Sequence, residues 1–526
     1  MNIWILVWLI LCLPSGLIWA QQDRSVTIIL IDGLGAPPLE RALELGQLPN
    51  IKKLMKNSLY VRSGIASFPS MTGYAFYPFL TGVSAAQSGV LGLRWFDRNR
   101  KVGNLRNYVG RSNVQMNHDL NPRPATLFER VAPAYTSSIN SYMNRGVQEA
   151  EMTGWAHTTA KYPDETFVRV IRQVPFIGED MAKDHFQHET LVTDMAIEQL
   201  KKNPKVQWIT YPSMDASNHV EGTSMDYFGL LRHIDAQIGR LLQAIEANGQ
   251  SGQRALAIIS DHGVSDVYEN VDVCGEIQKL TGLTVDRGKA LQLWNSAFTK
   301  PISDYRNLDG FFVINGNLSG MLYLRPKNID REKTWGTRLG YQELRNFPTP
   351  RGKIDFPKVL TKMQGIEHVI LRKNAAQYEI HSAKGIATVS IRGDKASYTI
   401  QGKDPLGYDQ QPSLQRMMDG QFWPLTQWQQ ESMGTDYPDA LYRLAEVIQH
   451  PDCGDLLLTS QAGYDLAKDY EAFVNNYRGG HGGFRRDQLI VPYILYAPGM
   501  TAREIPYQRA EDFGRAIFEY LGIKPE

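Results

Sequence analysis

Cysteine is scarce in this chain, with three residues in 526: Cys12, Cys274 and Cys453. If an N-terminal segment is removed two remain, which permits one disulfide in an oxidising compartment without demanding it; two unpaired buried thiols fit equally well. An excess of either charge is also missing. Lys and Arg number 56 against 55 Asp and Glu, a formal net charge of +1. No global field therefore draws the chain to nucleic acid or to an anionic membrane, and an anionic substrate must be held by local groups. There is no repeat of fixed period and no low-complexity tract. Charged residues make up 21% and apolar ones 43%, ordinary globular proportions that point away from disorder and from a multi-span membrane protein. The length suffices for one large α/β domain with a substantial insertion, or for several smaller domains.

One long apolar run stands apart. Ile3 to Leu13 is unbroken, followed by Pro14, Ser15, Gly16 and then Ala20, a pattern that reads as a signal peptide over residues 1–20. The expectation is export, to the periplasm or the extracellular space. No Lys or Arg precedes the run, and Ile18 occupies the third position before the expected cut, so an uncleaved anchor stays open as the alternative. Pro14 and Gly16 interrupt a stretch already short for a bilayer span.

Ser25 to Ile31 (SVTIILI) is β-branched and almost continuously apolar, as a strand buried on both faces of a parallel sheet must be. It stops at Asp32-Gly33. Val206 to Tyr211 and Ala255 to Ile259 repeat the pattern and are followed by Asp215 and by Asp261-His262. Between them, Leu230, Leu231, Ile234, Ile238, Leu241, Leu242 and Ile245 recur at helical spacing, which predicts a crossover helix over Tyr227 to Ala247. A right-handed strand–helix–strand unit makes successive strands parallel, so residues just past their C-terminal ends gather on one edge. Asp455 to Thr459 and Leu489 to Tyr496 read as further strands of the same domain. The stretch from Val267 to Ile448 lacks long buried runs and reads as an α+β insertion, with a hairpin turn at Arg392-Gly393-Asp394 between two β-like segments.

Asp215 and His219 stand four residues apart, on one face if the segment is helical. By themselves they are equally an exposed polar turn. Asp261-His262-Gly263 could simply cap a following segment. Gly479-Gly480-His481-Gly482-Gly483 frames one imidazole with four glycines, allowing close backbone approach to the ring. Ser67-Phe68-Pro69-Ser70-Met71-Thr72-Gly73 places a hydroxyl before the apolar run Tyr74 to Leu80, where an N-cap is the plain alternative. Together the pieces form a set: three of the eleven histidines lie beside Asp or inside the glycine frame, at strand ends or in a late loop. His233, within the amphipathic helix, has no such setting.

In their order along the chain, Ile29-Leu30-Ile31-Asp32-Gly33, Phe68-Pro69-Ser70-Met71-Thr72 with Thr81-Gly82, Asp215-x-x-x-His219, Asp261-His262-Gly263 and His481-Gly482 resemble the alkaline phosphatase superfamily. The resemblance is to its type I phosphodiesterase and nucleotide pyrophosphatase branch, and it covers most of residues 25–265 and 455–520. It implies an α/β fold with a mostly parallel central sheet, helices on both faces and an α+β cap. The domain plan is a first core part over residues 21–266, the cap over 267–448 and a second core part over 449–526. It implies that Asp215, His219 and His481 bind one divalent ion and Asp32, Asp261 and His262 a second, with Thr72 as metal-activated nucleophile passing through a phospho-threonine. Mixed carboxylate and imidazole ligands suit zinc, with manganese or cobalt as substitutes.

One position departs from the family pattern. An Asn that follows the nucleophile and contacts a phosphoryl oxygen falls here on Leu93, which cannot do so; the adjacent Arg94 could supply a charge-assisted fork instead, or sit on an ordinary turn. The C/S-x-P-x-R signature of the sulfatase branch is absent. The expected activity is a phosphodiesterase acting on a nucleotide, a phospholipid headgroup or a glycerophosphodiester, with no nucleic-acid duplex as partner and a membrane only if the N-terminal segment is retained. A phosphomonoesterase or phosphonate hydrolase is the enzyme alternative, and a binding protein on a degenerate phosphatase scaffold the non-enzymatic one.

Overall fold

The computed structural model describes residues 24–98, 105–108, 115–153, 178–224, 227–286, 308–326, 334–467, 477–524 and 526. The leader expected over residues 1–20 lies outside them. Among the described residues no helix is long and apolar enough to cross a membrane.

All seven residues of Ser25–Ile31 are buried. The strand is flanked on one side by Val206–Tyr211 and on the other by Arg254–Ile259, both parallel to it. Its side chains alternate between two cores. Val26, Ile28 and Leu30 join one that includes Phe79, Leu80, Phe513 and Ile517 from the helices Tyr77–Thr81 and Ala510–Tyr520. Ile29 and Ile31 join another, with Val192 and Ala196 of helix Gly178–Leu200 and Leu231, Ile234 and Ile238 of helix Tyr227–Ala247. Helices thus cover both faces, the condition that makes such a strand apolar throughout. The predicted crossover helix is present, and it links the two strands on either side of Ser25–Ile31.

The full sheet has eight strands, in the order Arg503–Arg509, Ser58–Ile65, Ile490–Tyr496, Arg254–Ile259, Ser25–Ile31, Val206–Tyr211, Thr136–Ile139 and Glu149–Glu151. Ile490–Tyr496 runs antiparallel to both its neighbours; the other pairings are parallel. The fold is α/β with a mostly parallel sheet, as the motif order implies.

A second sheet of nine strands accounts for much of the predicted insertion. Its strands pair antiparallel except where Val285–Asp286 meets Gly310–Asn315. The hairpin turn at Gly393-Asp394 joins Gly385–Arg392 to Lys395–Gly402, with Gly393 at φ +60°. One expectation fails. Leu456–Ser460 does not rejoin the first sheet but pairs with Ser319–Leu324 and Ile366–Asn374 in the second. The reason is physical: Leu457 enters one core while Leu456 and Leu458 enter another, so the strand is apolar on both faces and its sequence looks the same in either sheet. The first sheet resumes at Ile490 rather than after residue 448.

Candidate functional site

Parallel strands bring the candidate residues to one edge. Asp32 follows Ile31 directly, and its N–H donates to the Tyr211 carbonyl at 3.0 Å. Asp261 lies two residues past Arg254–Ile259, and Asp215 sits in helix Ser213–Glu221, which begins just after Val206–Tyr211. Gly33 holds φ +74°, and a β-carbon there would lie 3.1 Å from Asp215 Cα, so only glycine lets these two chain segments approach. His481 follows the short strand Gly479–Gly480, which pairs with Ser265 and Asp266. Gly482 is needed for similar reasons: a β-carbon would overlap the Asn315 carbonyl.

The seven residues proposed from sequence converge. Thr72 Oγ1 is 3.4 Å from each Asp32 carboxylate oxygen and 3.3 Å from His262 Nε2. His262 Nε2 is 3.3 Å from Asp32 Oδ1 and 3.6 Å from Asp261 Oδ2. Asp215 lies 3.3 Å from His219 Nε2 through Oδ2 and 3.7 Å from His481 Nε2 through Oδ1. The rings of His262 and His481 stack with centroids 3.6 Å apart, 6° from parallel.

The three imidazoles are oriented alike. His219 Nδ1 is 3.0 Å from the Gly479 carbonyl, His262 Nδ1 is 3.2 Å from the Gly263 carbonyl and His481 Nδ1 is 2.8 Å from the Ser70 carbonyl. A carbonyl only accepts, so each contact places a proton on Nδ1, and in the neutral ring the lone pair then lies on Nε2, toward the carboxylates. This is the arrangement in which a second contact fixes the tautomer of a metal ligand.

Burial and crowding perturb the titrations. Burial raises the Asp32 carboxyl well above its ordinary range, and the charges of Asp261 and Asp215 add to this. Asp261 is raised by burial too, offset in part by His262. Burial also works against Asp215, but His219 and His481 outweigh it and hold the carboxyl low. His262, although burial disfavours its charge, is pushed up to about 10 by Asp261 and Asp32.

Three carboxylates and three imidazoles in one buried space suit a divalent cation better than each other. Asp32, Asp261 and His262 can each direct a ligand atom such that all lie within 4.8 Å of one another, and so can Asp215, His262 and His481. His219 falls in neither group, although its Nε2 lies 3.3 Å from Asp215 Oδ2 and its ring 5.2 Å from that of His481. Asp215 Oδ1 and Asp261 Oδ2 are buried without a hydrogen bond, which is costly unless something else coordinates them. The donor set fits zinc-class ions.

Arg94 is buried in strand Arg94–Phe96, and its N–H donates to Asn315 Oδ1 at 3.2 Å. Tyr142, which sequence reasoning missed, borders the cluster: burial raises its hydroxyl pKa first, the charges of Asp32, Asp215 and Asp261 add to that, and Arg94 opposes them. Asn315 was missed too. Ile314-Asn315-Gly316-Asn317 carries a turn signature, but nothing local says where the turn lands. In the second sheet, Tyr378 and Tyr398 are fully buried in the core. Cys274 and Cys453 are both buried.

Residues 26–331 match the family described as type I phosphodiesterase / nucleotide pyrophosphatase. An uncharacterized pyrophosphatase/phosphodiesterase of Schizosaccharomyces pombe is 22% identical over 255 residues, 47% of this chain and 46% of that protein. The chain thus aligns with about half the length of this relative. Among solved structures, mouse ectonucleotide pyrophosphatase/phosphodiesterase 5, as an inactive threonine-to-alanine variant in complex with AMP, superimposes with a TM-score of 0.52 at 10% identity over 96% of each chain. The human protein gives 0.52 at 11% identity over 96% of each chain. At such identities the likeness is one of fold.

Proposed function

The chain belongs to the type I phosphodiesterase / nucleotide pyrophosphatase family, and we propose that it hydrolyses phosphodiesters with Thr72 as nucleophile and two zinc-class ions as cofactor. The observation that carries this reading is the Thr72 hydroxyl, 3.3 Å from His262 Nε2 and 3.4 Å from Asp32, beside two sets of metal-competent ligands. Asp32, Asp261 and His262 would hold one ion, and Asp215, His219 and His481 the other. Bound there, divalent ions favour the ionised hydroxyl and offset charge on the phosphoryl oxygens.

Thr72 Oγ1 attacks phosphorus as the bond to the leaving alcohol breaks, giving a phospho-threonine; water then attacks phosphorus and the Thr72 hydroxyl is restored. The carbonyls of Gly479, Gly263 and Ser70 keep the three imidazoles in the tautomer this site needs. Substrates of nucleotide type come first, because a structurally similar protein was solved with AMP. The leader-like residues 1–20 support export as part of the same reading. Leu93 favours a second reading, a monoesterase, since a site without the usual amide there has a different phosphoryl pocket.

Hydrolysis of bis-nitrophenyl phosphate against nitrophenyl phosphate separates the two. The expected result is preference for the diester, loss of activity with a chelator and recovery with zinc. Monoester preference by a large factor would reverse the order of the two readings.

A further inference from the structure

A turn of the second sheet reaches the candidate site. Strands Gly310–Asn315 and Ser319–Leu324 form a hairpin whose turn grips the ligand loop: the His481 N–H donates to the Gly316 carbonyl at 3.0 Å, and the Leu318 N–H to the His481 carbonyl at 2.9 Å. Asn317, at φ +73°, is explained by the turn, which needs a residue tolerant of left-handed backbone. Asn315 is not explained that way.

The Asn315 side chain is fully buried. Its Oδ1 is fixed by the Arg94 N–H at 3.2 Å, whereas its Nδ2 has no hydrogen-bond partner. The carboxamide also presses on the other side of residue 93, since a β-carbon on Gly92 would lie 2.5 Å from Asn315 Oδ1 and 2.8 Å from Met71 Sδ. That same sulfur accepts the Leu93 N–H at 3.3 Å. An amide donor with a fixed orientation therefore sits against Gly92 and Arg94, beside the residue that precedes Thr72. Neither Leu93 nor Met71 offers its N–H₂ a strong acceptor, and a buried donor left unpaired costs free energy unless a ligand satisfies it.

We propose that Asn315 Nδ2 donates a hydrogen bond to a non-bridging oxygen of the phosphoryl group attacked by Thr72, so that the second sheet contributes a catalytic residue. This rests on the phosphodiesterase reading. A preorganised donor of this kind strengthens its bond as charge develops on the oxygen, and removing one such donor typically costs about 100-fold or more in rate.

The test is Asn315→Asp, which keeps Oδ1 for the Arg94 N–H and deletes the donor. With the zinc-loaded full chain, kcat/KM for a nucleotide diester is expected to fall about 100-fold. Zinc content should be unchanged and the melting temperature should hold within about 3 °C. A donor to one oxygen also makes a stereochemical difference: the parent's preference between the two P-chiral phosphorothioate diastereomers of that diester should change about tenfold in the variant. A loss under about threefold, or an equal loss for both diastereomers with lowered melting temperature, overturns the proposal in favour of a structural amide. If Asn315→Asp does not fold, Asn315→Ser is read by the same two ratios. A parent inactive on the diester removes the functional reading and this inference together, an outcome distinct from an active parent whose variant is unaffected.

Discussion

The two halves of the candidate site are built differently. Asp32, Asp261 and His262 stand at the ends of two adjacent strands with side chains 6%, 0% and 0% exposed, while Asp215 and His219 ride on a helix and remain 14% and 20% exposed. In the buried half the carboxyls are raised, chiefly by burial and also by their like-charged neighbours. In the exposed half two imidazoles hold Asp215 low against burial. One half is therefore strained by its own charge, whereas in the other His219 offsets the charge of Asp215 and burial holds the His481 pKa well down. The contrast teaches that a ligand set can be assembled at the expense of stability on one side and with its support on the other, within a few ångströms.

Thr72 touches Asp32 and His262 of the buried half and carries the proposed nucleophile, so its removal gives the largest effect. Thr72→Ala should lower diester hydrolysis on the order of 10⁴-fold while zinc content and melting temperature stay near the parent's. Turnover equal to the parent's would take the hydroxyl out of the reaction.

Support for the exposed half can be measured at Glu189. Its Oε1 accepts the Ser213 N–H at 2.8 Å, at the start of the helix that carries Asp215 and His219, and Oε2 has no partner. Burial raises its carboxyl from 4.5 to about 8. Between those values the unfolded chain has released the proton and the folded chain retains it, so stability falls as pH rises across that window. Glu189→Gln keeps the acceptor and removes the slope. Denaturant titrations should show a gain of about 4 kcal/mol at pH 8 and almost none at pH 4; parallel curves for parent and variant would mean that Glu189 is ionised in the folded chain.

The contrast between halves makes its own smaller prediction, in chelator-treated protein. Asp261→Asn relieves buried like charge and should raise stability by about 1 kcal/mol, whereas Asp215→Asn strips His219 of its counter-charge and should lower it by about 1 kcal/mol. Both should reduce zinc binding. Shifts of the same sign in thermal melts would break the comparison.

Much of this architecture is legible in the amino-acid sequence. Ser25–Ile31 can be read because a strand covered on both faces has no polar side, and Asp32 because the polar residue ending such a run marks the sheet's edge. The same logic fails at Leu456–Ser460, since double-sided burial does not say which sheet does the burying. His481 is visible through its glycines. Asn315 is not, because a single asparagine in a turn signature is unremarkable until the hairpin is seen folded onto the His481 loop. Tyr142 offers no signal at all; its place beside the carboxylates depends on contacts between segments distant in sequence.

By itself the sequence determined the chemistry available: which oxygens and nitrogens exist, at which strand ends, and in an order that only a parallel sheet brings to one edge. Local periodicity is enough for that, because burial on one or two faces writes itself into every few residues. The tertiary structure alone decided how those groups share charge, which half is strained, and that a hairpin of the second sheet lies against the loop of His481. Those outcomes depend on long-range distances, on burial and on the partners each group is denied, and none of these is encoded in any one stretch of chain.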